Sequence, residues 1–290
     1  MRRVIRYYIP QMAPAQGTRM PPPAQLDDDQ SEPVKDRNFV TALARGLELL
    51  RAFGPGEEFL GNAELSSRTA IPRPTVSRLT YTLTQLGYLK HDKRLEKYRL
   101  GPGILALGYR FLASQGIREI ARPYMQQFAD ATDCAIALGT VDRHSMTYIE
   151  VCQGRGPLVM RLEAGSRIPV TTTAIGRAWL CGVSEQQREA LLEDIRRRTP
   201  DGWTAVKTAM EKSLDEYDRY GFCLSEGEWE RDVSAVAIPL ILEDGAEVMA
   251  INCGGSSLRL SHRILVENLG PRLKEVVQQI HAELRHGATP

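Results

Sequence analysis

At 290 residues the chain is long enough for two domains, because one hydrophobic core rarely organises more than about 250 residues. Its 42% hydrophobic and 25% charged residues are those of an ordinary globular protein, and no stretch approaches the ~20 apolar residues that a membrane span needs. A net charge of +1 excludes a uniformly basic protein, so a polyanionic partner has to be met by a local patch. The five cysteines are scattered and never form a CxxC pair, and the histidines are isolated with no HExxH. They read as small buried hydrophobes of a reducing compartment, with no metal or cofactor expected. Met1–Arg6 is basic, but Tyr7-Tyr8-Ile9-Pro10 follows, so no signal peptide, no membrane partner and a cytoplasmic location are expected.

Residues 1–37 carry Pro21-Pro22-Pro23 and Asp27-Asp28-Asp29 and little that could be buried; they read as a disordered tail. From Asn38 the apolar Val40, Leu43, Ala44, Leu47 and Leu50 recur at helical spacing until Gly54-Pro55-Gly56. A second helix is expected after Asn62 as its N-cap. Ile71-Pro72-Arg73-Pro74 then forces a turn, and Pro74 suits the first turn of a third helix. Val76, Leu79, Leu83 and Leu86 are expected to face inward on it, with Gly87 ending it. Tyr88–Lys90 and Tyr98–Leu100 flank a polar stretch and predict a β-hairpin with a charged tip. Three helices and a hairpin over residues 38–101 are the order of a winged helix-turn-helix. A linker helix is expected over 102–117, its stripe of Ile104, Leu107, Phe111 and Leu112 packing on a partner subunit. Residues 118–290 alternate helical and strand-like segments. The pair Val236–Ile241 and Val248–Asn252, joined by Glu243-Asp244-Gly245, predicts a hairpin in an antiparallel sheet, and a helix over 262–285 closes the chain. The fold class is therefore α+β, a winged helix-turn-helix joined by a helix to an α/β domain.

Between Arg73 and Arg99 seven basic residues face only Asp92 and Glu96. On the third helix, Thr75, Ser77, Arg78 and Thr82 lie opposite the apolar side, with Arg73 ahead of them. Arg78 is the candidate for bidentate contact with guanine. Arg73, Thr75 and Ser77 read bases or hold phosphates, and the sequence leaves those roles open. Lys90, Lys93, Arg94 and Lys97 on the wing are expected beside the backbone of double-stranded DNA.

Thr41-Ala42-Leu43-Ala44-Arg45-Gly46-Leu47, Ile71–Leu79, Leu86-Gly87-Tyr88 and Tyr98–Gly101 resemble the DNA-binding half of IclR-type regulators. The likeness continues through Ile168-Pro169-Val170, Ala174–Ala178, Tyr220-Gly221-Phe222 and Ala235–Pro239. The resemblance implies a GAF-like effector domain, a small-molecule ligand and assembly as a homodimer or homotetramer. It also implies a pocket drawing on Val159, Leu162, Ala174, Ile175, Gly176, Ser225, Ala235, Asn252 and Gly254. Backbone N–H groups at the helix start of Ala174 suit a carboxylate, Thr172 and Thr173 add hydroxyls, and Arg161 adds a charge. Asn252-Cys253-Gly254-Gly255 departs from the Ser-rich run of many relatives, which points toward a larger, partly aromatic organic acid. The competing reading is a sensor or enzyme of the same fold whose N-terminal domain mediates only protein contacts. Gly101–Ala106 matches GxGxxA, but its strand belongs to a hairpin and no βαβ unit surrounds it. Glu226, Glu228 and Glu230 read as a solvated loop. No catalytic motif is found, so no enzyme is expected.

Overall fold

The computed structural model describes residues 38–154, 162–242 and 247–287. The chain divides at Leu107/Gly108 into two compact units. The first holds α1 (Thr41–Arg51), α2 (Asn62–Thr69), α3 (Arg73–Gln85) and the antiparallel pair β1 (Leu89–Asp92) and β2 (Lys97–Leu100). Leu49, Leu60, Leu65, Ile71, Val76, Leu83 and Leu89 form its core.

Local chemistry sets the helix starts. Gly61, not Asn62, is the N-cap of α2, and the Glu64 carboxylate reaches back to accept the Gly61 N–H at 2.6 Å. Asn62 is the first helical residue and donates its amide to Ser77 Oγ at 3.1 Å, tying α2 to α3. Pro74 sits in the first turn of α3, where its missing N–H leaves no bond unmade. The buried stripe of α3 is Val76, Thr80 and Leu83. Thr80 is fully buried and tolerated because its hydroxyl donates to the Val76 carbonyl at 2.9 Å. Leu86, expected inside, is 63% exposed. It lies one residue past the helix, where Gly87, at φ +78°, turns the chain into the wing. Leu60 and Tyr98 exchange backbone bonds at 2.9 and 2.8 Å, fastening the wing to the segment before α2.

The loop between α1 and α2 is closed by Glu57, which accepts two N–H groups of Arg68 and that of Gly54. Arg68 first, and the Gly54 N–H second, hold the Glu57 carboxyl down at about 2. Because that value lies below the ordinary carboxylate value of 4.5, the stabilisation is complete above that pH and is lost as the pH falls toward 2. The pair is more than a third exposed, so its worth after solvent screening is about 0.5–1 kcal/mol. Glu57→Gln is expected to lower the melting temperature at pH 7, and the gap from wild type should close by pH 2–3. A gap independent of pH would show that the carboxylate charge contributes nothing.

α4 (Pro102–Ser114) runs across the division, and α5 (Gly116–Thr132) begins two residues later. Ile117, at the expected end of the linker, is already in the core of the second unit. Six antiparallel strands follow the order β5-β4-β3-β8-β7-β6. They are β3 (Ala135–Asp142), β4 (Ser145–Gln153), β5 (Arg167–Pro169), β6 (Cys223–Glu226), β7 (Val233–Leu242) and β8 (Glu247–Ser256). The helices between are α6 (Ala174–Gly182), α7 (Glu185–Arg198) and α8 (Trp203–Tyr220); α9 (His262–Ile264) and α10 (Gly270–Gly287) close the chain. One sheet face, with Ile136, Leu138, Val236, Ile238 and Ile251, packs on Met125 and Phe128 of α5 and Leu273 and Ile280 of α10. The other face meets α6 and α8 through Ala137, Ala237, Ala250, Ala178, Leu180 and Met210. The single helix expected over 262–285 is interrupted by a π turn at Leu265–Leu269. The turn residues Glu243-Asp244-Gly245 lie outside the described residues.

Candidate DNA-binding surface and effector cavity

With Val76, Thr80 and Leu83 turned inward, α3 presents Arg73, Ser77, Arg78, Tyr81 and Thr82 to solvent, while Thr75 is half-buried. Among the described residues, neither Arg73 nor Arg78 makes an ion pair or a side-chain hydrogen bond. The hydroxyls beside them are engaged already: Thr82 donates to the Arg78 carbonyl at 3.0 Å, and Ser77 Oγ accepts from Asn62. In the wing, Lys90, Lys93 and Arg94 are exposed. The tip is shaped by the Asp92 carboxylate, which accepts the Arg94 and Leu95 N–H groups at 2.9 and 3.0 Å. The Leu95 N–H, first, holds the Asp92 carboxyl below its usual range. Lys97 points elsewhere than the tip cations, donating to Glu64 of α2 at 3.2 Å. The surface available to a polyanion is thus Arg73 and Arg78 on the helix with Lys90, Lys93 and Arg94 on the wing.

The second unit contains a cavity of about 100 Å³ against the α6 side of the sheet. Strand register explains why space exists there. Gln153, Ala135, Gly254, Ala235 and Ser225 lie side by side across β4, β3, β8, β7 and β6, and all five line the cavity. In the next row Val151, Ala137 and Asn252 line it too. Alternate residues of a strand point to opposite faces, so the small side chains fall on the cavity side and the bulky Ile136, Val236 and Cys253 on the core side. Tyr148, Leu162, Ile168, Trp229, Arg259 and Leu260 contribute to the walls. Burial pushes the Tyr148 phenol well above an ordinary tyrosine, with the Asn252 amide opposing, so the ring stays neutral. Asn252 is itself buried, and among the described residues its Oδ1 has no hydrogen-bond partner.

Of the residues expected at the pocket, Leu162, Thr173, Ala174, Ser225, Ala235, Asn252 and Gly254 line the cavity. Thr172, Ile175 and Gly176 do not. The Thr172 carbonyl accepts the Ser225 hydroxyl at 3.0 Å, and Ile175 is fully buried in the α6 core. Gly176 lies so close to Val170 that a Cβ would collide with its carbonyl oxygen and Cα. Val159 and Arg161 lie outside the described residues. The hydroxyl role expected of Thr173 is corrected in part: it donates to the Pro169 carbonyl at 2.6 Å and accepts the Gly176 N–H at 3.3 Å, capping α6. Ala135, Ala137, Tyr148, Trp229 and Arg259 were missed. The small–large alternation Ala135-Ile136-Ala137-Leu138-Gly139 and Ala235-Val236-Ala237-Ile238 was the available signal. Glu228 and Glu230 are exposed in the loop as expected, but Glu228 pairs with the buried Arg177, and Glu226, at the end of β6, meets His262 at 3.1 Å. Among the described residues no cluster of His, Cys, Asp or Glu could hold a metal, all five cysteines are free, and no helix is long and apolar enough to cross a membrane.

A helix-turn-helix with a wing, followed by an antiparallel sheet domain, is the architecture of a two-domain transcriptional regulator. The chain belongs to the IclR family of bacterial transcriptional regulators. Residues 42–93 match the IclR helix-turn-helix domain, and 109–282 match the bacterial transcriptional regulator IclR C-terminal domain. It is 35% identical over 254 residues to the HTH-type transcriptional regulator TsaQ1/TsaQ2 of Comamonas testosteroni, spanning 87% of this chain and 91% of that protein. It is 25% identical to the p-hydroxybenzoate hydroxylase transcriptional activator of Acinetobacter baylyi, over 86% of this chain and 94% of that one. The crystal structure of an IclR family transcriptional regulator from Brucella abortus superposes with a TM-score of 0.80 at 44% identity, covering 93% of this chain and 98% of that one.

Proposed function

We propose that the protein is a ligand-responsive repressor or activator of a catabolic operon. It binds duplex DNA through α3 and the wing, and it senses a partly aromatic organic acid in the sheet cavity. The observation that carries this reading is that α3 exposes two arginines with no partner among the described residues, while the second unit holds a cavity of single-ring size. The floor of alanines and glycine suits a flat apolar ring. Tyr148 and Asn252 suit a polar substituent, and Arg259 with the Ala174 N–H at the start of α6 suits a carboxylate. The similarity to a regulator named for p-hydroxybenzoate hydroxylase supports an aromatic acid. No residue of α4 is buried in the single chain, and Leu107 and Phe111 on its apolar stripe are 51% and 46% exposed; we assign that stripe to a second copy in a homodimer or homotetramer. Ligand closure then acts on α4 to respace the paired DNA heads. The role is binding rather than catalysis, as the regulator relatives support.

An electrophoretic shift on duplex DNA, run across salt concentrations with and without aromatic acids, tests the reading. Binding is expected to fall steeply with salt and to change on ligand addition. Lys93→Gln with Arg94→Gln should weaken all duplexes alike and flatten the log–log salt slope by up to about two. No binding even in dilute salt would end the regulator reading for this surface.

A further inference from the structure

Arg177 is 2% exposed, a position that an arginine takes only when its donors are met. Its Nε donates to the Thr171 carbonyl at 3.0 Å, its Nη1 to the Leu224 carbonyl at 3.1 Å, and its Nη2 pairs with the Glu228 carboxylate. Each of these three partners stands next to, or within two residues of, a side chain that lines the cavity. Thr171 leads into Thr173, Leu224 precedes Ser225, and Glu228 precedes Trp229. Arg177 touches no part of the cavity itself.

We propose that Arg177 is the positioning residue of the effector cavity, one guanidinium setting three wall segments at a fixed separation; this rests on the cavity being the ligand site. The planar fork does what a lysine cannot, because its donors diverge in one plane at fixed angles. The Glu228 arm differs from the other two. Thr171 and Leu224 offer main-chain oxygens of a packed helix start and a sheet strand, whereas Glu228 belongs to the connection between β6 and β7 and is 31% exposed at its side chain. That connection is held at its ends by other groups. Glu226 meets His262, and Ser257 donates to the Asp232 and Arg231 carbonyls at 2.9 and 3.2 Å. In its middle the Glu230 carbonyl accepts the Val233 N–H at 2.9 Å and Trp229 packs on the α6-side core, while Glu228, just before Trp229, pairs with Arg177, with Lys212 at 3.6 Å on the outside. The Arg177–Glu228 pair therefore sets where the Trp229 ring stands against the cavity, and ligand affinity follows from it.

The test exploits the three tryptophans, Trp179, Trp203 and Trp229. In full-length protein labelled with 5-fluorotryptophan, each gives one fluorine resonance, and Trp229→Phe identifies its own. Glu228→Ala is expected to move or broaden the Trp229 resonance in the ligand-free protein and leave the other two in place. Glu228→Gln, whose amide oxygen still accepts an N–H from Arg177, should restore most of the wild-type line. Titration with benzoate and its monohydroxy and dihydroxy derivatives should show at least tenfold weaker binding for Glu228→Ala than for wild type. A Trp229 resonance that ignores Glu228→Ala overturns the proposal, and so does a moved resonance with unchanged affinity for a benzoate that wild type binds. If the resonance moves as expected while wild type binds none of these acids, the positioning role stands and the aromatic-acid reading falls.

Discussion

Arg78→Ala is expected to weaken binding to the cognate operator about 10- to 100-fold, the ~1–3 kcal/mol that a bidentate arginine–guanine contact discriminates. The side chain is exposed and unpaired among the described residues, so its removal leaves the first unit intact. The face it occupies is fixed by what lies opposite. Val76 and Thr80 are fully buried and Leu83 is 9% exposed, so α3 cannot roll without breaking its core. Fluorescence anisotropy on operator and scrambled duplexes separates the two roles of an arginine in a groove. A base contact costs operator affinity and spares the scrambled duplex; equal losses on both would make Arg78 a phosphate contact, as Lys93 is expected to be.

Gly176→Ala is expected to destabilise the second unit by about 3 kcal/mol or more, because the added methyl meets main chain rather than a movable side chain. A Cβ there collides with the Val170 carbonyl oxygen and Cα, and Val170 is itself 1% exposed. Relief requires α6 to back away from the turn that follows β5. That shift would break the Thr173 cap and strain the bonds of Arg177. Urea unfolding monitored by circular dichroism measures the loss. Gly108→Ala is the matched control: it lies in α4 with nothing near its missing Cβ, and removing a helical glycine should stabilise by up to about 1 kcal/mol. Equal behaviour of the two variants would show that α6 and Val170 are not in close contact.

Much of the first unit was legible in the sequence because its signals are local. Helical periodicity, Pro74 in a first turn and the apolar pairs flanking a charged tip each act over a few residues, and all three gave elements close to those observed. Leu86 was misjudged because a helical wheel does not show where the helix stops, and Thr80 went unread because periodicity of apolar residues does not show that a threonine can satisfy itself on its own backbone. The π turn at Leu265–Leu269 left no mark in an apolar stripe that runs on through it. In the second unit, motif matching reached six cavity residues and the hydroxyl argument a seventh, Thr173, yet the motif set included Ile175 and Gly176, which serve packing. The alternation of small and large residues in β3 and β7 was visible, but only strand register shows that Ala135, Gly254, Ala235 and Ser225 align across four strands. The partnership of Arg177 with Glu228 was out of reach, since nothing local distinguishes a glutamate facing a buried guanidinium from one facing water.

The two faces of the sheet assign separate duties to neighbouring residues. Ile136 and Val236 hold the domain together, while Ala135 and Ala235, one step away, set how much room a guest molecule has. Taking the cavity as the ligand site, an added methyl at Ala135 or Ala235 trims the space for a ligand, while Ile136 and Val236 keep the opposite face packed on α5 and α10. What the pocket admits can then be retuned from one side of the sheet alone.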